Sequence, residues 1–200
     1  HRTLIFRALK GLAEHISVSV VSPDMLESGW TFNTSNHSSG DDLFKFDYMH
    51  QIYTQNMPNY SGRVTVPVLW DKQLNCIVSN ESSEIIRMLN QAFNAITGNT
   101  LDFYPNDKRK AIDDINEFIY HNINNGVYKA GFATTQEAYE DAVFSVFKAL
   151  DIIEQRLSGQ RYLVGSTITE ADWRLFTTLI RFDAVYHGHF KCNVKQIADY

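Results

Sequence analysis

Cysteine is scarce in this chain, which has only Cys76 and Cys192 among its 200 residues. Two are too few for a disulfide framework, and a chain of this length buries enough surface not to need one. Runs of lysine or arginine are missing, and a formal net charge of -5 leaves no basic footprint for nucleic acid or an anionic membrane surface. No apolar stretch approaches the length of a bilayer span. The motifs G-x-G-x-x-G, H-E-x-x-H and G-x-S-x-G and the P-loop are also absent, so dinucleotide, zinc-protease, serine-hydrolase and nucleoside-triphosphate chemistry have no foothold. Nothing has the pattern of a signal peptide, although the chain opens at His1 rather than methionine. With so few cysteines, an intracellular, cytoplasmic setting is expected. The N-x-S/T matches at Asn33, Asn36, Asn59 and Asn80 then read as chance.

What remains is an ordinary globular composition, 44% hydrophobic and 13% aromatic, enough for a core. Apolar residues at Ile5, Ala8, Leu9 and Leu12 predict a helix over 1–15, weakened at Gly11, and alternation with serines predicts a strand over 16–21. A polar loop follows over 22–47 with Trp30 and Phe32 embedded in it. A short helix is expected over 46–55.

The most informative stretch is 63–87, RVTVPVLWDKQLNCIVSNESSEIIR. Residues 64–70 form a β-branched, apolar run with Pro67 inside it, and a proline cannot donate to a ladder. The chain is therefore expected to turn its backbone away from the sheet at 66–67, a cis bond being one way to do so. That leaves the Val66 N–H and C=O open to an extended peptide. A second strand over 76–79 leads into a helix start rich in capping residues, with apolar positions at Ile85, Ile86 and Leu89. Free N–H groups at such a start suit a carboxylate, and Glu81 suits an ammonium; ordinary capping is the alternative.

The first half therefore reads as α/β with a small mixed sheet, and the second as all-helical. Helix-period apolar residues run from Ile112 to Ile123 and from Tyr139 to Leu157. Thr169 and Asp172 form a capping box ahead of a helix whose apolar residues lie on more than one face, the pattern of a central buried helix.

An α/β domain with a strand proline and a Glu-Ser helix start, followed by a helical domain with a Thr-x-x-Asp box, resembles the glutathione transferases. More narrowly, VPVLWD at 66–71, SNESSEIIR at 79–87, NNGVYKAGFA at 124–133, ITEADWRLFTTLIRFDAVY at 168–186 and HFKCN at 189–193 resemble the glutathionyl-hydroquinone reductases, the Xi class, whose yeast members are also described as omega-like. The resemblance implies a thioredoxin-like glutathione-binding domain over 1–96 with its first strand missing. A linker over 97–107 and a helical domain over 108–200, continuing past 200, would follow. It implies an enzyme in which a cysteine thiolate attacks the sulfur of a glutathionyl-hydroquinone, releases the hydroquinone, and is restored by a second glutathione. That cysteine belongs to a Cys-Pro-Trp-Ala run just before His-Arg-Thr, and is therefore expected upstream of His1.

Carried over by the same resemblance, Glu81 and Ser82 would hold the glutamyl end of glutathione and Val66 would pair with its cysteinyl backbone. Trp30 and Arg63 would add side-chain contacts, and the hydroxyls of Tyr128 and Tyr186 would face the quinol oxygens. Glutathione is the expected cosubstrate, aromatic quinol conjugates the substrates, and a homodimer the assembly. Each residue has a plainer reading: Tyr128 as packing, Trp30 as a plug for the long loop, Arg63 as a surface pair with Asp71. An omega-like thioltransferase or dehydroascorbate reductase and a non-catalytic binding module are the alternatives in function. His187, His189 and Cys192 have ligand-like spacing, but a structural zinc site takes four ligands and no C-x-x-C partner exists, so no metal is expected.

Overall fold

In the computed structural model, which describes residues 1–25 and 27–200, the first helix is α1 (Arg2–Leu9). It stops short of His15 because Gly11 adopts a φ of +68°, a left-handed conformation that ends a helix cheaply only at glycine. Among the described residues the segment 16–21 joins no ladder, contrary to expectation. Only Val20 makes a β-bridge, to Gly40, while the Val20 N–H donates to Ser39 Oγ at 2.8 Å and its C=O accepts from Ser38 Oγ. Serine hydroxyls thus take the bonds a neighbouring strand would otherwise supply.

The described residues divide into two compact units, Thr3–Thr100 and His1–Arg2 with Leu101–Tyr200. In the first unit the expected long loop is well tied down, apart from position 26, which lies outside the described residues. The buried Asp41 carboxylate accepts the N–H groups of Leu43, Phe44 and Phe46 at 2.9–3.1 Å. Phe32 N–H reaches Asp47 O at 2.8 Å. Helix α2 (Met49–Asn56) follows, and Phe32, Met49, Ile52 and Tyr53 form a core onto which Trp30, Val64, Val68 and Trp70 pack.

Among the described residues the sheet is one antiparallel pair, β1 (Leu69–Asp71) and β2 (Cys76–Ser79), with Trp70 opposite Ile77. The mixed sheet and the long strand over 64–70 are not formed: Pro67 sits in the run behind a cis Val66–Pro67 bond, and the ladder begins two residues later. Helix α3 (Ser82–Gln91) buries Ile85, Ile86 and Leu89, and α4 (Asn94–Thr97) ends at Gly98.

The second unit is helical: α5 (Arg109–Ile119), α6 (Gly126–Gly131), α7 (Gln136–Ser158) and α8 (Glu170–Arg181). π-Helical turns at Tyr120–Asn124 and Phe182–Tyr186 extend α5 and α8. Gly131 is required by packing, since a Cβ there would lie 2.3 Å from the Phe190 ring. The box at the start of α8 is present: the Asp172 carboxylate accepts from the Thr169 N–H at 2.7 Å and from the Leu163 N–H at 2.8 Å. That helix is not buried all round. Its inner face carries Glu170, bonded to Asn116 Nδ2 at 2.9 Å and Arg174 at 3.3 Å, while Phe176 and Ile180 are exposed. No helix among the described residues is long and apolar enough to cross a membrane.

Since Asp172 closes two backbone donors and Thr169 supplies a cap, Asp172→Ala is expected to cost more stability than Thr169→Ala. The expected losses are about 2–3 kcal/mol against about 1 kcal/mol, read from urea unfolding. Equal losses would show that the Leu163 bond contributes nothing.

Candidate functional site

Two clusters of the expected residues form, one in each unit. In the first, β1 is preceded by the 64–67 segment and β2 runs directly into α3, so the two chain stretches of interest are neighbours by way of one side chain. The Tyr53 hydroxyl donates to Thr65 O at 2.8 Å and accepts from Thr65 N–H at 3.3 Å and Asn80 Nδ2 at 3.2 Å. Asn80 Nδ2 also reaches Thr65 Oγ1 at 3.2 Å. Thr65 and Asn80 each precede an expected binding residue, Val66 and Glu81.

Val66 is 40% exposed, and its backbone N–H and C=O make no hydrogen bond among the described residues. The α3 start is closed by Ser79 rather than by Glu81. Ser79 Oγ accepts the Glu81 N–H at 3.0 Å and donates to Glu84 at 2.7 Å, while the Glu81 side chain makes no capping bond. Ordinary capping is therefore not what Glu81 does, and its exposed carboxylate stands at the positive end of the helix. Ser82 is the first residue of α3.

Trp30 and Arg63 are less closely tied to this cluster. Trp30 is half-buried against the Phe32–Tyr53 core, and its C=O accepts the Met49 N–H at 2.9 Å, which fits the plug reading. Arg63 is exposed, with its C=O accepting from Tyr60 OH at 2.7 Å. It does not pair with Asp71, whose carboxylate closes its own turn by accepting from the Gln73 and Leu74 N–H groups.

In the second unit Tyr128 on α6 and Tyr186 on the π-turn after α8 bring their hydroxyls to 3.2 Å. Tyr186 is 2% exposed and Tyr128 43%, so the pair presents one phenol outward and anchors it on a buried one. Burial, then the bond to Tyr186, pushes Tyr128 up to about 12, against the pull of Arg181 and Arg2. Tyr128 is thus a protonated donor at neutral pH. Arg2 is bonded to Thr177 Oγ1 and Arg174 O, both at 3.3 Å. Its burial, with Arg174 and Arg181 nearby, brings it down to about 10, still cationic at neutral pH. Phe190 lies against both tyrosine rings at 5.3 and 5.5 Å, and Phe132, 72% exposed, stacks on Tyr128.

Sequence reasoning missed Tyr53, Asn80, Arg2, Phe132 and Phe190. Tyr53 is one of ten tyrosines and carries no local signal. Gly131, which makes room for Phe190, is the only hint of that aromatic shelf. Cys192 is a buried packing residue whose thiol burial pushes up to about 11, and no group of three or more His, Cys, Asp or Glu among the described residues has a metal-like arrangement.

Residues 1–92 match the glutathione S-transferase N-terminal domain and residues 136–200 the glutathione S-transferase C-terminal domain. The chain belongs to the glutathione transferase family. Within it the chain falls in the Xi class. It is 52% identical to glutathione transferase Xi 1 from Trametes versicolor, with a TM-score of 0.96, covering 99% of this chain and 70% of that one. It is 57% identical to YqjG, a glutathione transferase homolog from Escherichia coli K-12 solved with glutathione bound, with a TM-score of 0.98 and coverage of 100% and 66%. Glutathionyl-hydroquinone reductase PcpF of Sphingobium chlorophenolicum is 56% identical over 200 residues, 100% of this chain and 64% of that protein. The chain spans 61–64% of the length of the curated reductases it matches.

The tyrosine pair gives a direct test. Folding raises Tyr128 above its ordinary value of 10.0, so its contribution to stability is present below that pH and is lost as pH rises through about 12. NMR of ring-labelled tyrosine is expected to show Tyr128 ionising near 12, and Tyr186→Phe to move it down. An unchanged value in that variant would assign the whole shift to burial.

Proposed function

We propose that this chain forms the glutathione-holding and quinol-holding parts of a glutathionyl-hydroquinone reductase. The observation that carries the reading is the uncommitted backbone of Val66 beside an uncapping, exposed Glu81, both held one residue from the same phenol. An extended peptide pairs with a free N–H and C=O as a strand would, and a γ-glutamyl group offers the ammonium and carboxylate that Glu81 and the α3 start, at Ser82, complement. Arg63, exposed and without an ion pair among the described residues, adds a cation for a second carboxylate, and Trp30 borders the same unit's core.

The reacting sulfur comes from a cysteine upstream of His1. Its thiolate attacks the thioether sulfur; a sulfur–sulfur bond forms as the carbon–sulfur bond breaks, and the electron pair moves to the ring carbon, which takes up a proton. Free hydroquinone leaves. A second glutathione thiolate then attacks the mixed disulfide, giving oxidised glutathione and the free cysteine. Charge developing on the quinol oxygens is met by the Tyr128 and Tyr186 hydroxyls, in the positive field of Arg2 and Arg181. The exposed Phe176 and Ile180 support a homodimer, and two unpaired thiols support a cytoplasmic setting.

In the full-length protein Glu81→Gln is expected to raise the KM for glutathione roughly 10- to 100-fold, because a hydrogen bond to a charged group contributes about 1.5–3 kcal/mol. Release of hydroquinone and oxidised glutathione from a glutathionyl-hydroquinone checks the reaction. Turnover of dehydroascorbate in preference to that conjugate would move the assignment to an omega-like thioltransferase, and turnover of neither to a binding module.

A further inference from the structure

A buried tyrosine hydroxyl needs at least one partner to offset its lost hydration. Tyr53 is 3% exposed, yet its hydroxyl bonds two stretches of chain that lie 12 and 27 residues away. On one side it clamps Thr65 from both ends of the residue, donating to the C=O and accepting from the N–H. On the other it takes an amide proton from Asn80, whose carboxamide also reaches Thr65 Oγ1. Thr65 precedes Val66, and Asn80 precedes Glu81 and Ser82, so Val66 and Glu81 lie one residue and Ser82 two residues from the node.

We infer that Tyr53, with Asn80, is a positioning residue that fixes the separation between the Val66 backbone and the α3 start, and thereby selects for a ligand that engages both. The inference rests on the glutathione reading given above. The ring of Tyr53 is anchored in the Phe32–Met49–Ile52 core of the same unit, so the node is held by packing as well as by hydrogen bonds. The Val66 backbone makes no hydrogen bond among the described residues, and Glu81 is tied through its N–H to Ser79 Oγ at 3.0 Å while its side chain makes no capping bond. Without the hydroxyl, the two anchors are joined by the single 3.2 Å bond from Asn80 Nδ2 to Thr65 Oγ1 and by the longer route through β1 and β2.

The test separates positioning from packing through the ligand rather than through stability. Glutathione and cysteinylglycine, which lacks the γ-glutamyl group, are titrated calorimetrically into the full-length wild-type protein and into the Tyr53→Phe, Asn80→Ala and Glu81→Gln variants, with thermal unfolding measured alongside. Tyr53→Phe is expected to lose about tenfold in affinity for glutathione, the upper end of one neutral hydrogen bond, while cysteinylglycine changes by less than about twofold. The preference for glutathione over its fragment therefore falls by at least about fivefold. Asn80→Ala is expected to shift the same ratio in the same direction, and it decides the matter where Tyr53→Phe does not fold. A variant with a lowered melting temperature and an unchanged ratio would make Tyr53 a packing residue and overturn the inference while leaving the glutathione reading intact. If wild type binds glutathione no better than cysteinylglycine, and Glu81→Gln changes neither, the glutathione reading fails and the positioning role fails with it.

Discussion

The bonds at the Tyr53 hydroxyl are the constraint on which the first unit's candidate site depends. Three hydrogen bonds at one buried oxygen draw the residue before a cis Val66–Pro67 bond to Asn80, two residues ahead of α3. Three groups lie next to that point: a stretch of backbone unpaired among the described residues, a helix N-terminus and a carboxylate that makes no capping bond. A buried hydroxyl with fewer partners than it can hold is costly, so the node resists being opened. The two-strand ladder and α3 then set the direction in which these groups face, because β2 passes into α3 with only Asn80 and Glu81 between them.

The second unit is organised around charge. Glu170, Arg174, Asn116, Asn124 and Thr178 form a polar network inside a helical core, with Asn124 Nδ2 at 2.7 Å from Thr178 Oγ1. Such a network is weak evidence for stability, because burying its charges costs desolvation that their attraction has to offset. Arg2 is bonded to the edge of this network at Thr177 and Arg174, and it and Arg181 bias the Tyr128–Tyr186 pair electrostatically. The outward phenol is thus held protonated by burial and by its partner, within reach of positive charge. Phe132 and Phe190 supply aromatic faces on either side of that phenol.

Helix periodicity made the second unit readable, since Ile112, Ile119, Val146 and Leu150 all fall on buried faces, and the Thr169–Asp172 box is where its spacing places it. The first unit was less legible because its order comes from side chains bonding backbone. Serines 38 and 39 replace a strand partner for Val20, and Asp41 replaces a turn. Period-two patterning looks the same whether the bonds are made by a strand or by hydroxyls, so the strand over 16–21 was expected and did not form. Pro67 signalled a break in the run over 64–70, yet the ladder forms only from Leu69 rather than on both sides of it, and Glu81 stood out by its place at a helix start. Tyr53 did not stand out, since nothing local separates a tyrosine whose hydroxyl makes three hydrogen bonds from one that only packs. The outward exposure of Phe176 and Ile180 was likewise hidden, because a polar network took the inner face that apolar residues were expected to fill.

The most direct measurement is an amide NMR titration of the full-length protein with glutathione. Saturable shifts are expected at the Val66 N–H and at the first amides of α3, Ser82 and Ser83, with the β-turn amides of Gln73 and Leu74 unmoved. Shifts confined to residues outside the 63–87 segment, or none at saturating glutathione, would contradict the assignment of this edge as the glutathione site.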